Sequence, residues 1–373
     1  MKEPKNILVF SWRDPKHPLA GGAEQVMHEH MKGWIKSGFE VTLFSSKIGD
    51  LPSEEILDGV RIIRRGSQYL GVQIAGFFHY MKHSSEYDLV VDQFHGIPFF
   101  TTLYVKKPIL AVLQEVAKEV WFLNHLPFPV NRIVGFIGYF IEPFVFKAYK
   151  KTKFMTGSNS AKEDLIAFGI DKNNITVVPH GVKLVLPKKP PEKEKDKTVI
   201  FLGALAKDKG VEDAIDAFSL LPKDYKMWIV GKGSEEYLAY LKHKIKHLDI
   251  EERTKFFGFV TQEEKFILLA KAHVLVNPSI REGWGLVNIE ANSVGTPVVA
   301  YHSPGLVDSV KDRFSGILLK KNNPSELARV INLLFDNEIM LKNLCRGAQE
   351  WSDQFHWSKA KEDSIRLIGS VIV

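Results

Sequence analysis

The chain has 373 residues, 45% of them apolar, and a formal net charge of +6. That length falls in the range of two domains, each able to bury a core, and a single cysteine, Cys345, excludes an intramolecular disulfide framework and a cysteine-built metal cluster. The basic residues are scattered, their densest run "PKKPPEKEKDK" mixes signs, and no zinc-finger, RNP or helix-turn-helix spacing accompanies them, so no nucleic-acid partner is expected.

No stretch reaches the roughly 20 apolar residues of a membrane span. Ahead of Arg13 and Asp14 stands only "ILVF", too short for a signal-peptide core. The expectation is a cytoplasmic chain.

In chain order, "NILVFSW" reads as a strand and the segment after it as a helix. Ala23, Val26, Met27, Met31, Trp34 and Ile35 share one face at helical steps, and Gly38 ends it. Between the two lies "HPLAGGAEQ", where Gly21 and Gly22 permit positive φ and close approach of backbone to a ligand. Strand-like runs follow in "EVTLFSS", "VRIIRR", "YDLVVDQ", "PILAVLQ" and "KFMTGSN". Strands alternating with helices predict a parallel α/β architecture. His95 falls just past one strand, and Gln114 and Glu115 just past the next.

The stretch from Trp121 to Lys153 is dense in Phe and Tyr and ends on Lys147, Lys150, Lys151 and Lys153. Two readings stand here: a helix docked in the interface of an anionic bilayer, or a buried helix with a snorkelling lysine tail. From Lys183 to Lys197 the periodicity stops, which predicts a linker or exposed loop at a domain boundary.

The alternation then restarts with "TVIFLGAL", "YKMWIVGKG", "TKFFGFV", "AHVLVNPS", "TPVVAY" and "SGILLK". The fold expected is α/β, with two Rossmann-like lobes facing across a cleft that is the default ligand site. The domains expected are 1–182, with a C-terminal helix at about 356–373 packing back on it, and 183–355. "GALAKDKG", Gly203 to Gly210, leaves a strand and opens a helix, a placement that suits phosphate.

"REGWGLVNIE" sets Glu282 and Glu290 around a Gly-Trp-Gly turn. Were the whole segment helical, the two would stand about 12 Å apart. Glycosidase carboxylate pairs stand roughly 5–10 Å apart, so these two read as acceptors for the ends of an elongated, hydroxyl-rich ligand. The competing reading is one cap and one surface carboxylate.

"NPSIREGWGLVNIEANSVGTPVVA" resembles the E-x7-E region of family-4 retaining glycosyltransferases, which have the two-lobed GT-B fold. The resemblance extends over nearly the whole chain through "GGAE", "TVVPHGV", "FLGALAKDKGVEDAIDAF" and "WIVGKGS". It implies a metal-independent transfer of a sugar from a nucleotide-diphosphate donor to a glycan or lipid-linked acceptor, with no cofactor. By resemblance, Glu282 meets the donor sugar, Glu290 the ribose and Lys209 the diphosphate. Gly21, Gly22, Gly203, Gly231, Arg281, Gly283, Trp284, Gly285 and Leu286 line the donor. Arg13, Glu24, His95 and Glu115 are acceptor-side candidates, and His95 and Gln114 join Glu282 and Lys209 as catalytic candidates.

Two positions depart from the family pattern: Ala204 stands where an arginine is usual, and Gln114 where a histidine is. Lysine offers a point charge rather than arginine's fixed fork, so either Lys207 or Arg281 compensates, or the donor is not a nucleoside diphosphate sugar. Trp284 is a packing residue or a sugar-stacking one. The rival readings are a nucleotide-sugar 2-epimerase of the same fold and a sugar-nucleotide-binding protein without turnover. An NAD-dependent oxidoreductase would need a glycine fingerprint that is missing here.

Overall fold

The computed structural model describes residues 5–68, 70–94, 97–123, 127–185 and 191–372. The chain forms two compact units, Met1–Gly181 with Trp357–Val373, and Val182–His356.

In the first unit the strands are β1 (Asn6–Phe10), β2 (Glu40–Ser45), β3 (Glu54–Leu57), β4 (Val60–Arg64), β5 (Leu89–Gln93), β6 (Ile109–Val112), β7 (Lys153–Thr156) and β8 (Ile175–Val177). They lie in the order β3-β4-β2-β1-β5-β6-β7-β8. All neighbours are parallel except β3 and β4. The inner strands are mostly apolar because both sheet faces are covered, with Asp92 and Gln93 of β5 among the buried polar exceptions. One face carries Ile7, Val9, Val91 and Leu110 under α1 (Gly22–Lys36). The other carries Leu8, Phe10, Val90, Ala111 and Phe154 under α2 (Gly71–His83) and α3 (Val130–Lys147). Helix α4 (Asn159–Ala167) starts at Ser158, whose hydroxyl caps Ala161 N.

Strand β3 is absent from the strands expected above. Asp58 (φ 51°) and Gly59 (φ 87°) make the two-residue turn that joins it to β4, the backbone an Asp-Gly hairpin requires.

The second unit has a parallel sheet in the order β11-β10-β9-β12-β13-β14. Its strands are β9 (Thr198–Leu202), β10 (Lys226–Val230), β11 (Thr254–Gly258), β12 (Val274–Asn277), β13 (Val298–Ala300) and β14 (Gly316–Leu318). Helices α5 (Val211–Ser219), α6 (Glu235–His247), α7 (Gln262–Lys271), α8 (Leu286–Ser293), α9 (Leu306–Ser309), α10 (Pro324–Asp336) and α11 (Glu338–Ser352) alternate with them or follow them. The last helix, α12 (Trp357–Ile372), lies in the first unit against α1. Trp34 Nε1 on α1 donates to Ser364 Oγ at 3.0 Å, and Lys361 Nζ stands 2.6 Å from Glu29 Oε2.

Of the expected linker or exposed loop, residues 186–190 lie outside the described residues, and the part after them is a largely exposed loop near the unit boundary, tied to the second unit. Lys193 Nζ donates to Ala272 O (2.6 Å) and Thr296 Oγ1 (2.7 Å), and Glu194 N donates to Lys271 O (2.9 Å). The buried-helix reading of α3 is corrected, since Ile133, Phe136, Ile137, Phe140, Ile141 and Phe144 are all more than half exposed.

Candidate functional site

The carboxyl ends of the second unit's strands bring the glycine loops together. Gly231 follows β10 at φ 145°, and a Cβ there would stand 1.8 Å from Gly203 O. Only glycine lets these two backbones touch. After Gly203 comes exposed Ala204, then a turn of 3-10 helix, Lys207–Lys209, closed by Gly210 at φ 70°. A Cβ on Gly210 would meet Pro278 O at 2.2 Å, and Ile280 N donates to Asp208 O at 2.9 Å. The loop after β9 is thereby joined to the loop after β12.

This joining sets Lys209 against Glu282. Lys209 Nζ lies 3.0 Å from Glu282 Oε1 and 3.5 Å from Asp208 Oδ2, and Ser279 Oγ donates to Glu282 Oε1 at 3.0 Å. Both side chains of the pair keep 22% of their surface exposed, so a ligand can reach them. Glu282 N donates to Pro304 O (3.1 Å), and the carbonyl of Glu282 leaves no room for a Cβ on Gly305.

Gly283 is half-buried. Gly285, at φ 82°, caps α8, which opens at Leu286. Beneath it runs a buried polar chain: Asn277 Nδ2 donates to Asn288 Oδ1, and Asn288 Nδ2 to Ser309 Oγ, both at 2.9 Å. Glu290, one turn into α8, holds Lys265 Nζ of α7 at 2.5 Å. Each glutamate of the signature thus has a lysine partner, which sequence spacing did not disclose. Arg281 is buried, while Lys207 remains exposed. The sugar-stacking alternative for Trp284 is corrected: its ring is 3% exposed and meets Phe355 edge-on, with centroids 4.9 Å apart.

In the first unit the loop after β1 is bolted down by a buried ion pair, Arg64 Nε to Asp14 Oδ2 (2.7 Å) and Nη2 to Oδ1 (2.9 Å). Both side chains have no exposed surface. Burial pushes the Asp14 carboxyl up, but bonds from Arg64, Lys16 N and Ser45 outweigh it and hold it below the ordinary aspartate value. Arg13 braces the same loop. Its Nη1 donates to Leu19 O (2.8 Å), and Nε and Nη2 reach the Gln68 oxygen once that amide is turned toward them. Gly21 N donates to Glu24 Oε2 at 2.7 Å, so Glu24 caps α1, beside Gly22, its first residue. Arg13 and Glu24 therefore have structural partners within their own loop.

His95 lies outside the described residues. Gln114 accepts from His180 Nε2 at 2.8 Å, and a Cβ on Gly157 would meet that nitrogen at 2.5 Å. Glu115 beside it is half-buried. Burial lowers His180 to about 3 and neighbouring His30 to about 4, so both are neutral imidazoles at neutral pH. Asp14, Arg64 and His180 escaped the sequence reading. Asp14 and Arg64 are fifty residues apart, as Gln114 and His180 are sixty-six, and no local pattern pairs them. Among the described residues no group of three His, Cys, Asp or Glu side chains is placed to hold a metal ion.

Chemically, the strand ends of the second unit offer a held cation, a carboxylate on it, and glycine backbones open to close approach. That set can bind a phosphoryl group and hydroxyls together.

Residues 183–351 match the family of glycosyl transferases group 1, and residues 20–185 match glycosyltransferase family 4. Uncharacterized glycosyltransferase MJ1069 of Methanocaldococcus jannaschii is 30% identical over 295 residues, 74% of this chain and 72% of that one. Uncharacterized glycosyltransferase MJ1178 of the same organism is 32% identical over 161 residues, 43% of this chain, and the matched stretch spans 44% of that relative's length. Sucrose-phosphate synthase from Thermosynechococcus elongatus shares the fold with a TM-score of 0.81 at 18% identity, covering 98% of each chain. Anabaena HepE, solved in complex with UDP and glucose, gives 0.74 at 20% identity, covering 98% of this chain and 100% of that one.

Proposed function

This chain belongs to glycosyltransferase family 4 with the GT-B fold, and from that premise we propose a retaining, metal-independent transfer of a sugar from a nucleoside diphosphate donor to a hydroxyl acceptor. The observation that carries the reading is the Lys209–Glu282 pair, seated among glycine loops at the carboxyl ends of β9, β10 and β12. The UDP bound to the similarly folded HepE favours a nucleotide donor.

In this proposal the donor diphosphate lies over Gly203 and Gly231 and draws the Lys209 ammonium to itself. Backbone N–H groups near Gly283 and Gly285 face the leaving oxygen. Glu282, released from the lysine, accepts from donor-sugar hydroxyls, and Glu290 accepts from the ribose. The bond from the anomeric carbon to the diphosphate oxygen breaks. The acceptor oxygen bonds to that carbon on the same face, and its proton passes to the departing phosphate. No protein nucleophile is needed, so rate comes from positioning and charge stabilisation.

The first unit is proposed to supply the acceptor side through the loop of Arg13, Gly21, Gly22 and Glu24 and the strand ends at Gln114 and Glu115, with His95 in the same role. The acceptor class is a growing glycan or a lipid-linked sugar at the inner face of the cell membrane.

A thermal-shift screen of UDP-, GDP- and ADP-sugars, with and without EDTA, tests this. A true donor at 100 times its Kd adds about 2.7 kcal/mol of stability and does so with EDTA present. No shift with any nucleotide sugar refutes the donor assignment.

A further inference from the structure

We propose that the outer side of α2 and α3 is one lipid-facing surface that seats the first unit on an anionic bilayer. The proposal extends the interfacial reading of the α3 stretch to a second helix, and it does not depend on the chemistry proposed for the second unit.

Strand register puts both helices on the same sheet face. Leu8 pairs with Val90, Phe10 and Ala111 each with Asp92, and Ala111 with Phe154, so these side chains all point one way. They pack with Val72 and Tyr80 of α2 and Phe146 of α3.

Both helices carry large apolar side chains outward. On α2, Ile74, Phe78 and Met81 are 56–65% exposed. On α3, Ile133, Phe136, Ile137, Phe140, Ile141 and Phe144 follow helical spacing and are 52–63% exposed. Two of the four buried positions of α3 are glycines, Gly135 and Gly138, the others being Glu142 and Phe146. A Cβ on Gly138 would meet Trp121 at 2.3 Å, and one on Gly135 would meet Phe122 at 2.7 Å. Large apolar side chains outside, over glycines at two of the inward positions of α3, depart from the pattern of a water-facing helix. Patches of this extent on a soluble chain mark an interaction surface.

Charge selects the occupant. The one acid of either helix, Glu142, is 3% exposed and already accepts from Ala117 N (2.6 Å), Lys118 N (2.8 Å) and Trp121 Nε1 (3.1 Å). The exposed charges are cations: Lys82 on α2, Arg132 and Lys147 on α3, and Lys150 and Lys151 just beyond. Lys147 Nζ lies 4.1 Å from the centroid of the Phe144 ring, which joins the basic end to the apolar stripe. Exposed acids stand beside the helices, Glu86 just beyond α2 and Glu119 ahead of α3, but the apolar stripe itself bears only cations, which fits anionic headgroups over acyl chains. No helix among the described residues is long and apolar enough to cross a membrane, so the contact is interfacial.

The test is flotation of the full chain with vesicles of phosphatidylcholine alone, or of equal parts phosphatidylcholine and phosphatidylglycerol. The expected result is binding to the anionic vesicles only. Phe140→Asp and Phe78→Asp should each weaken it about tenfold or more, and Lys150→Gln and Lys151→Gln about fivefold each. Circular dichroism and the donor thermal shift, whatever its size in the parent chain, should stay unchanged in all four variants. Absence of flotation by folded protein overturns the proposal. So does binding that Phe78→Asp leaves intact, or a concentration-dependent dimer without lipid binding that Phe140→Asp dissolves.

Discussion

Lys209 Nζ lies 3.0 Å from Glu282 Oε1, and that oxygen also accepts the Ser279 hydroxyl at 3.0 Å. An ion pair with this much exposure contributes about 0–1 kcal/mol to stability. On the proposed reading, a donor diphosphate would therefore exchange for the carboxylate at little cost and free Glu282 for the sugar.

Lys209→Ala should lower kcat more than about 100-fold, since one transition-state donor is worth about 3–4 kcal/mol. Chemical unfolding should shift by no more than about 1 kcal/mol. Steady-state kinetics beside urea titration checks both, and wild-type turnover would remove Lys209 from the phosphate.

Ala204 is exposed next to Gly203, where a Cβ would meet nothing closer than 3.9 Å. Ala204→Arg should restore a forked donor and tighten a nucleoside diphosphate about tenfold, the yield of one charge-assisted hydrogen bond. Isothermal titration with the nucleotide found by the thermal screen measures it. No gain would mean that the diphosphate does not pass over this loop.

The Asp14–Arg64 pair is destabilised by acid. Asp14 is held below the aspartate value by Arg64, so its contribution is complete above the unfolded value of about 3.9. It is lost as pH falls through the lower folded value. Arg64→Met strands a buried carboxylate and should cost about 3–5 kcal/mol at neutral pH, with a smaller loss than wild type on further acidification below pH about 4. Urea unfolding across that range reads the difference.

His30 and His180 act in a higher window. Burial sets His30 at about 4 and His180 at about 3, below the unfolded value of about 6.5. The unfolded chain therefore takes up protons first. Stability is full above about 6.5 and falls toward pH 4 by about 1.4 kcal/mol per pH unit for each histidine. Neither ring nitrogen of His30 has a hydrogen-bond partner, so His30→Leu should flatten the slope by one group. An unchanged slope would show that His30 is not buried as a neutral ring.

Gly157→Ala would put a methyl 2.5 Å from His180 Nε2 and 3.1 Å from Gln114 Oε1. Overpacking of this kind costs about 1–3 kcal/mol. If Gln114 serves the acceptor, kcat/KM for the acceptor should fall while donor affinity holds. Equal losses on both sides would assign the pair to structure alone.

The sequence by itself carried the two α/β units, because strands covered on both faces must be apolar runs and their crossover helices must keep a 3.6-residue period. "NILVF", "LVVDQ", "TVIFL" and "VLVN" are legible for that reason. Glu282, Glu290, Lys209 and the glycines were legible as candidates from local context. Their pairing was decided only in three dimensions. The loops after β9 and β12 meet through Ile280 N and Asp208 O, and α7 brings Lys265 to Glu290. The outward stripe of α3 was undecidable in one dimension, because an apolar helix reads the same whether its partner is a protein core or a bilayer. The neighbours Trp121 and Phe122, filling the space over Gly138 and Gly135, turn the larger side chains outward. Such contacts join residues distant in the chain, and no local period encodes them.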